Sequence, residues 1–306
     1  MQAAYTVVPM SQTPSRVAVP RADTAALPEP AGPPPDYIEK KVRVFEPTRH
    51  RVRLREFWTS FPVARLLGLR DIKVKYKQSA LGPLWLLLQP LGMLVALVVA
   101  FSTVAGVNTG GVPYTVFALL GLAVWTFFTM SLNSATAILT ANAPLVRRSP
   151  LPRLALVSAS VIGSLPTFLA LMPVSLIAAA VTIGLPVQAL LLPAVIAWLL
   201  VFTVGMTLSV SALSGRFRDM VAFAPMIVTA GVFLTPVGYP LDVAGGASWI
   251  IALNPISGLL EAWRWCALDI SPDLFSICVA GGWTVAVVLL GWYVFGRMEP
   301  RFADYV

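Results

Sequence analysis

Residues 84–104 read LWLLLQPLGMLVALVVAFSTV, an apolar stretch of 21 residues without a single Asp, Glu, Lys, Arg or His. An α-helix rises about 1.5 Å per residue, so about 20 such residues cross the roughly 30 Å hydrocarbon core of a bilayer. Five similar stretches follow, again with no ionisable residue in their interiors: Tyr114–Leu139, Leu154–Ile183, Ala189–Leu213, Val221–Val237 and Leu274–Phe295. The pattern predicts an all-α integral membrane protein with six transmembrane helices.

The lack of charge inside these stretches also indicates what kind of energy source could drive transport. Carriers driven by protons or ions use ionisable groups within the membrane, and this chain offers none in its predicted spans. If the chain moves a solute, we expect the driving force to come from a separate component.

The overall composition excludes several classes of function. The chain has 57% hydrophobic and 12% charged residues with a mean hydropathy of +0.79, whereas soluble chains carry about 25% charged residues. We interpret its net charge of +8 as serving membrane topology and contact with membrane lipid. We expect no nucleic-acid partner. Two cysteines and one histidine form no metal or disulfide framework. No catalytic motif and no Gly-rich phosphate loop occurs, so we expect no enzyme activity, no metal and no cofactor on this chain.

The basic residues between the stretches predict the orientation. Loops on one side carry Arg147, Arg148, Arg153, Arg216, Arg218, Arg297 and Arg301, while the loops 105–113 and 184–188 on the other side carry no Lys or Arg. The positive-inside rule therefore predicts that both termini lie in the cytoplasm. The resulting organisation is a disordered Pro-rich cytoplasmic tail at 1–48, an amphipathic interface-helix region at 49–83, a six-span domain at 84–297 and a cytoplasmic tail at 298–306.

A basic helix is predicted over Ser60–Ser79, with Pro62 in its first turn. Leu66, Leu69, Ile72 and Tyr76 form an apolar stripe on it, and Arg70, Lys73, Lys75 and Lys77 supply positive charge along it. Such a helix lies in the membrane interface. The basic residues either attract anionic lipid in general or contact the phosphates of a lipid-linked substrate.

Two short inner loops are the candidates for contact with a cytosolic partner. Their charged residues either anchor the topology or dock the partner: Arg147, Arg148, Arg216, Arg218 and Asp219.

The long outer loop, 238–273, contains a predicted helix. Asn254 is suited to cap it and Pro255 to occupy its first position. An apolar stripe follows, and Glu261 is placed to pair with Arg264 one turn later. This amphipathic helix either covers the bundle or forms part of an outer gate.

The run at 69–85, LRDIKVKYKQSALGPLW, resembles the RDLKVRYRxSxLGxLW stretch of type-2 ABC exporter permeases, and more narrowly those that export polysaccharides such as O-antigen, capsule, teichoic acid or galactan. The Asn254–Ile256 segment is similar to the family's outer gate region, and the Ser214–Asp219 loop to its segment between spans four and five. The resemblance implies a homodimer in the bacterial cytoplasmic (inner) membrane with two copies of a cytosolic ATPase, which hold the ATP and Mg. It also implies a polyprenyl-pyrophosphate-linked polysaccharide as substrate.

The resemblance suggests which residues lie along the path, with the dimer interface formed by spans one and five. The expected conduit residues are Gln89 and Met93, which share one face of span one, and Phe223, Met226 and Phe233 of span five. Aromatic rings on span five would give sugars apolar contact without strong hydrogen bonds. The small residues on span one equally suit close helix contact. The expected outer-gate residues are Tyr239, Trp249, Asn254, Glu261, Trp263 and Arg264.

Other functions remain open on the sequence. The same machinery exports drugs or lipids in related permeases, and a passive channel has similar spans. A membrane-embedded transferase for lipid-linked sugars needs carboxylates, and the outer loop supplies Asp242, Glu261, Asp269 and Asp273.

Overall fold

The computed structural model describes residues 54–77, 79–143 and 152–298, which form helices joined by short turns. The predicted terminal tails, Arg147, Arg148 and Arg301 lie outside these residues. The helices are α1 (Leu54–Lys77), α2 (Trp85–Leu97), α3 (Tyr114–Ala141), α4 (Arg153–Ile183), α5 (Leu192–Arg216), α6 (Met220–Leu234), α7 (Ser248–Ala252), α8 (Pro255–Leu268) and α9 (Leu274–Met298). A π-helical segment, Val98–Val104, extends α2. No β-strand occurs among the described residues, which confirms the all-α class.

Five helical stretches are long and apolar enough to cross a bilayer: Gly82–Val104, Tyr114–Ala141, Arg153–Ile183, Val187–Arg216 and Leu274–Met298. They confirm five of the six predicted spans and make the chain a multi-pass membrane protein. The remaining one, predicted as Val221–Val237, is the 15-residue helix α6, about 22 Å long. It ends at Leu234 because Thr235 is extended and precedes Pro236, which disfavours helical backbone before it.

Helix α3 is the centre of the bundle. In the most apolar part of this helix 78% of the residues are buried, and the helix packs against α4, α5, α6 and α8. Phe127 of α3 contacts Phe168 of α4 with ring centres 5.2 Å apart, and Phe168 contacts Trp263 of α8 at 6.1 Å. In contrast, only 11% of the residues in the most apolar part of the first span are buried, so α2 packs on the bundle along one side and leaves much of its surface exposed.

The two ends of the bundle differ. The C-terminal halves of α3, α5 and α9 meet α1 and the start of α4 at one end, which we call the α1 end. Helix α8 packs against the start of α3 and the start of α9 at the other end, which we call the α8 end.

Helix α1 differs from its prediction in two respects. It begins at Leu54, so Pro62 lies in its interior and not in its first turn. It also packs on α4 through small residues spaced one turn apart, Ser60, Ala64 and Gly68, which the apolar stripe did not predict. The stripe itself is divided, since Leu66 is 71% exposed whereas Tyr76 is half-buried. The small residues allow the two helix backbones to approach closely.

Candidate functional site

An open groove of about 520 Å³ lies between α2, α3 and α6. None of the described residues that line it carries an ionisable side chain. The lining residues are Gln89, Pro90, Gly92, Met93 and Ala96 of α2, Leu122, Trp125, Thr126, Thr129, Met130 and Asn133 of α3, and Val228, Thr229 and Val232 of α6.

The polar groups of this groove are amides and hydroxyls. The hydroxyl groups of Thr129 and Thr229 donate to backbone carbonyls of their own helices, at 3.2 and 2.8 Å. The amides of Gln89 and Asn133 are exposed and have no hydrogen-bond partner within the described part of the chain. They are therefore free to bind a ligand, and with the Trp125 ring they suit one that is polar and uncharged.

The structure separates the five predicted conduit residues. Gln89 and Met93 line the groove, while Phe223, Met226 and Phe233 are exposed on a different face of α6 and do not line it. The separation arises because the face of α6 with Val228 and Val232 packs inward against α3.

The groove residues of α3 were not predicted from the sequence. Thr126, Thr129 and Asn133 recur at spacings of three and four residues, so they share one face of an otherwise apolar helix. A polar stripe of this kind within a predicted span is the signal that would have identified them.

A smaller cavity of about 30 Å³ continues the groove at the α1 end. It shares Gln89, Pro90, Thr126 and Met130 with the groove and adds Lys75, Tyr76, Trp85, Leu86 and Thr167. The Lys75 ammonium lies 5.6 Å from the centre of the Tyr76 ring, and burial lowers the pKa of Lys75.

The four basic residues of α1 occupy three different environments. The Arg70 guanidinium donates to the Asp71 carboxylate at 2.9 and 3.0 Å and to the Asn142 side-chain oxygen at 3.3 Å. Lys73, Lys75 and Lys77 are all exposed. Lys75 lines the small cavity, and Lys73 and Lys77 lie outside both the groove and the small cavity.

The second predicted docking loop also lies at the α1 end. It joins α5 to α6 and exposes Arg216, Phe217, Arg218 and Asp219, with the Arg216 guanidinium 5.4 Å from the Phe217 ring centre.

At the α8 end, the chain that follows α6 is buried although it is not helical. Thr235, Pro236, Val237 and Gly238 are all buried. Non-helical backbone at membrane depth is tolerated where its polar groups are satisfied by protein. Side chains from three other parts of the chain supply these hydrogen bonds.

Arg264 of α8 is the principal donor to this turn. Its two terminal nitrogens donate to the carbonyls of Pro236 and Val237, at 2.7 and 2.6 Å. The guanidinium also lies 3.7 Å from the centre of the Phe117 ring and is 2% exposed. Gly121 of α3 leaves room for this arrangement, because a Cβ there would lie 2.5 Å from the Val237 carbonyl oxygen.

Three further side chains satisfy the neighbouring carbonyls. The Tyr239 and Tyr114 hydroxyls donate to the carbonyls of Phe233 and Gly238, both at 2.7 Å. The Asn254 amide donates to the Leu234 carbonyl at 3.1 Å, and its oxygen accepts from the Ile256 N–H. The predicted cap of α8 is therefore confirmed, and Asn254 has a second role in holding the end of α6.

The predicted outer-gate residues do not share one surface. The expected pairing of Glu261 with Arg264 is wrong, because in the described residues the guanidinium has no carboxylate within 4.0 Å. Its two terminal nitrogens donate to the turn instead, because the early end of α6 leaves the carbonyls of the turn without helical partners, and its Nε has no partner among the described residues. Burial lowers the pKa of Arg264 to about 10 and raises that of Glu261. Trp263 is 1% exposed and belongs to the core, whereas Trp249 is exposed.

The buried state of Trp263 and Arg264 follows from the position of α8. The helix predicted in the outer loop is present, but it is buried on most of its surface and packs against α3, α5 and α9.

Two of the outer carboxylates have structural partners. Asp273 accepts hydrogen bonds from the Phe275 and Ser276 N–H groups at the start of α9, and Asp269 accepts one from Gln188 at 2.9 Å. Within the described residues no group of His, Cys, Asp and Glu has the geometry to hold a metal ion.

Three curated relatives share most of the chain. It is 27% identical over 249 residues to the O-antigen export system permease protein RfbA of Klebsiella pneumoniae, which covers 80% of this chain and 95% of that protein. The Myxococcus xanthus protein of the same name is 28% identical over 242 residues, covering 78% of this chain and 92% of its own. The profile of the ABC-2 type transporter family matches residues 63–268, more than half of the chain. This chain therefore belongs to the ABC-2 type transporter family.

Proposed function

We propose that this chain is the transmembrane subunit of an ATP-driven exporter that moves lipid-linked polysaccharide of the O-antigen, teichoic acid or galactan type across the bacterial cytoplasmic membrane. The observation that carries the proposal is the uncharged groove between α2, α3 and α6, with its free amides at Gln89 and Asn133 and the Trp125 ring. Sugars bind through hydrogen bonds to such groups and through contact with aromatic faces. The relatives named as O-antigen export permeases support the same substrate class.

The energy source follows from the same lack of charge. The described lining of the groove offers no ionisable group through which an ion gradient could act. We therefore propose that a separate cytosolic ATPase binds ATP and Mg and contacts the chain at its α1 end. Arg216, Arg218 and Asp219 are exposed there and form the described part of the contact surface.

The functional unit in this proposal is a homodimer with two ATPase subunits. The groove is open, and α2, which forms one wall of it, exposes Leu88, Val95 and Val99 of the first span. Phe223, Met226 and Phe233 extend the exposed apolar surface on α6. A second copy packed there converts two open grooves into one enclosed path, and lipid then has no access to the polar lining.

The topology proposed for the dimer places both termini in the cytoplasm, as the positive-inside rule predicts. The α1 end is then the cytoplasmic end, and α6 is the sixth membrane helix. In this proposal the buried turn at 235–238 continues the path of the chain through the membrane where the 15-residue helix α6 is too short to cross it alone.

Depletion of the chain in its native host tests the function. We expect the lipid-linked polysaccharide to be synthesised and to accumulate on the cytoplasmic side of the membrane, and surface polysaccharide to fall. Chemical analysis of the lipid-linked fraction, with and without an impermeant sugar oxidant, measures both quantities. Unchanged surface polysaccharide, with accumulation of a drug or a phospholipid instead, would assign the chain to the other exporter class.

A further inference from the structure

We propose that an open depression at the α8 end is a contact site for a neutral sugar residue of the exported glycan, with the Asp269 carboxylate as its main hydrogen-bond acceptor. The depression shares no described lining residue with the groove between α2, α3 and α6. This inference rests on the proposed function and deepens it. It gives the glycan a second point of contact, at the end of the molecule that the proposed topology places outside the cytoplasm.

The depression lies where three separate parts of the chain meet. The connection between α2 and α3 supplies residues 110–112, the end of α4 and the turn after it supply residues 183–186, and the end of α8 supplies Leu268 and Asp269. Its volume is about 390 Å³. Sites for small molecules have volumes of about 300–1,000 Å³, so the depression is large enough for a sugar residue.

The carboxylate of Asp269 is held in place but is only partly used by the protein. Asp269 follows α8 with a left-handed backbone conformation (φ 55°), and its N–H donates to the Trp265 carbonyl at 3.1 Å. The Gln188 amide donates to Asp269 Oδ1 at 2.9 Å. The side chain is exposed, and Oδ2 accepts no hydrogen bond from the described residues. A fixed acceptor oxygen is therefore available to a ligand.

Backbone donors accompany this acceptor. Gly111 and Leu185 line the depression and are exposed, and neither N–H has a hydrogen-bond partner among the described residues. A cation would pair with the Asp269 carboxylate but leave these N–H groups unused, whereas an anion would be repelled by the carboxylate. A sugar hydroxyl donates and accepts at once, so a neutral sugar matches both kinds of group.

The rest of the lining is mainly apolar. Val112 and Leu268 are buried, while Ile183 and Leu185 are exposed, so the C–H groups of a sugar ring would meet aliphatic side chains. No aromatic ring and no Lys or Arg occurs among the described lining residues. Without ring stacking and with one charged hydrogen bond the contact is weak, which suits a polymer that has to move on.

Sugar binding to the full-length chain in nanodiscs tests this inference. The neutral probes are the methyl glycosides of glucose, galactose and mannose. Methyl glucuronide is the anionic counterpart, and methyl glucosaminide is the cationic one. Saturation-transfer NMR titrations give the affinities, and empty nanodiscs give the background. Hydrogen exchange at the Gly111 and Leu185 N–H groups, with and without sugar, locates the bound ligand independently of any substitution.

The variants compare two carboxylates at the same end of the molecule. Asp269→Asn removes the charge but keeps an oxygen for Gln188, and Asn tolerates the left-handed conformation. Asp242→Asn is the matched control, because Asp242 is exposed and does not line the depression. Unfolding midpoints of both variants show whether the fold is kept.

We expect at least one neutral glycoside to bind and to slow exchange at Gly111 and Leu185. Asp269→Asn should weaken this binding about fivefold or more, since a charge-assisted hydrogen bond becomes a neutral one. Asp242→Asn should change it less than about twofold. Methyl glucuronide should bind more weakly than the neutral probes, because its carboxylate is repelled by Asp269.

Three results would overturn the inference: no binding above empty nanodiscs, equal affinities for Asp269→Asn and the wild type, or unchanged exchange at both N–H groups. Tighter binding of methyl glucosaminide than of every neutral probe would overturn it in favour of a cation site. The proposed function is tested separately. Sugar binding that depends on Asp269, without accumulation of lipid-linked polysaccharide on depletion, contradicts the function, whereas accumulation without sugar binding contradicts this inference alone.

Discussion

The Arg264 guanidinium donates to the Val237 carbonyl at 2.6 Å, and this bond joins helix α8 to the buried turn after α6. The same guanidinium donates to the Pro236 carbonyl and packs on Phe117 of α3. One side chain thus connects three separate parts of the α8 end. It stabilises the non-helical backbone that follows the 15-residue helix α6.

Replacement of Arg264 by Gln should lower the thermal stability of the purified chain. Two charge-assisted hydrogen bonds are lost and buried carbonyls are left without donors, which costs about 3 kcal/mol or more. Arg264→Lys keeps the charge but lacks the planar pair of donors, so we expect an intermediate loss. Unfolding midpoints in one detergent measure both. A wild-type midpoint for Arg264→Gln would contradict the structural role.

Gly121→Ala tests the same contact from α3, without touching Arg264. The added Cβ would lie 2.5 Å from the Val237 oxygen and 2.8 Å from the Arg264 Nη2 atom, so the turn must shift. We expect a destabilisation of about 1–3 kcal/mol, as is usual for overpacked sites. Gly163→Ala is the matched control, because nothing lies within 4 Å of its added Cβ.

The groove amides should affect export more than stability. Asn133→Ala removes an exposed amide that has no partner in the described residues, so the fold loses little and the substrate loses one neutral hydrogen bond. We expect the rate of surface polysaccharide delivery to fall about two- to tenfold, with an unchanged unfolding midpoint. Ser134→Ala, at the exposed neighbouring position outside the groove, is the control. Equal rates for the two variants would exclude Asn133 from substrate contact.

The spans were predictable because the long apolar stretches alone set helix length and membrane crossing. The hydrogen bonds that hold the buried turn after α6 were harder to predict, since they come from Arg264 and Asn254, which lie 20 or more residues later and reach the turn through the tertiary fold. The pairing predicted for Glu261 and Arg264 followed from local spacing. Local spacing contains no information about the free carbonyls that the tertiary structure brings to Arg264.

The same distinction applies to the site. Gln89 and Met93 were predicted because they share one face of α2. The lining residues of α3 were missed because the sequence does not show which face of α3 meets the groove. The polar stripe through Thr126 and Asn133 would have indicated the face. Whether Phe233 is covered by a second copy of the chain or faces lipid depends on how the copies assemble. The periodicity of the sequence contains no information about that assembly.

The pKa of Glu261 predicts a pH dependence of stability. Burial raises its pKa in the folded chain above the unfolded value of about 4.5, so the folded state binds the proton more tightly. Stability contributed by this group should therefore increase as the pH falls from neutral toward 4.5, and decrease as the pH rises. Unfolding midpoints between about pH 4.5 and 7.5 measure this slope. Glu261→Gln should flatten the slope, while Asp219→Asn, which removes an exposed carboxylate at the α1 end, should leave it in place.

The contact between α1 and α4 gives the last prediction. A Cβ at Gly68 would lie 2.7 Å from the Ile162 Cγ2 atom and 3.2 Å from the Ala159 carbonyl oxygen. Gly68→Ala should therefore push α1 away from α4 and cost about 1–3 kcal/mol of stability, which the unfolding midpoint measures. Adding Ile162→Ala removes the Cγ2 methyl group that lies nearest to the added Cβ and should recover part of this loss. If the double variant is no better than the sum of the two single changes, the helices do not meet at these residues and the close packing of α1 is wrong.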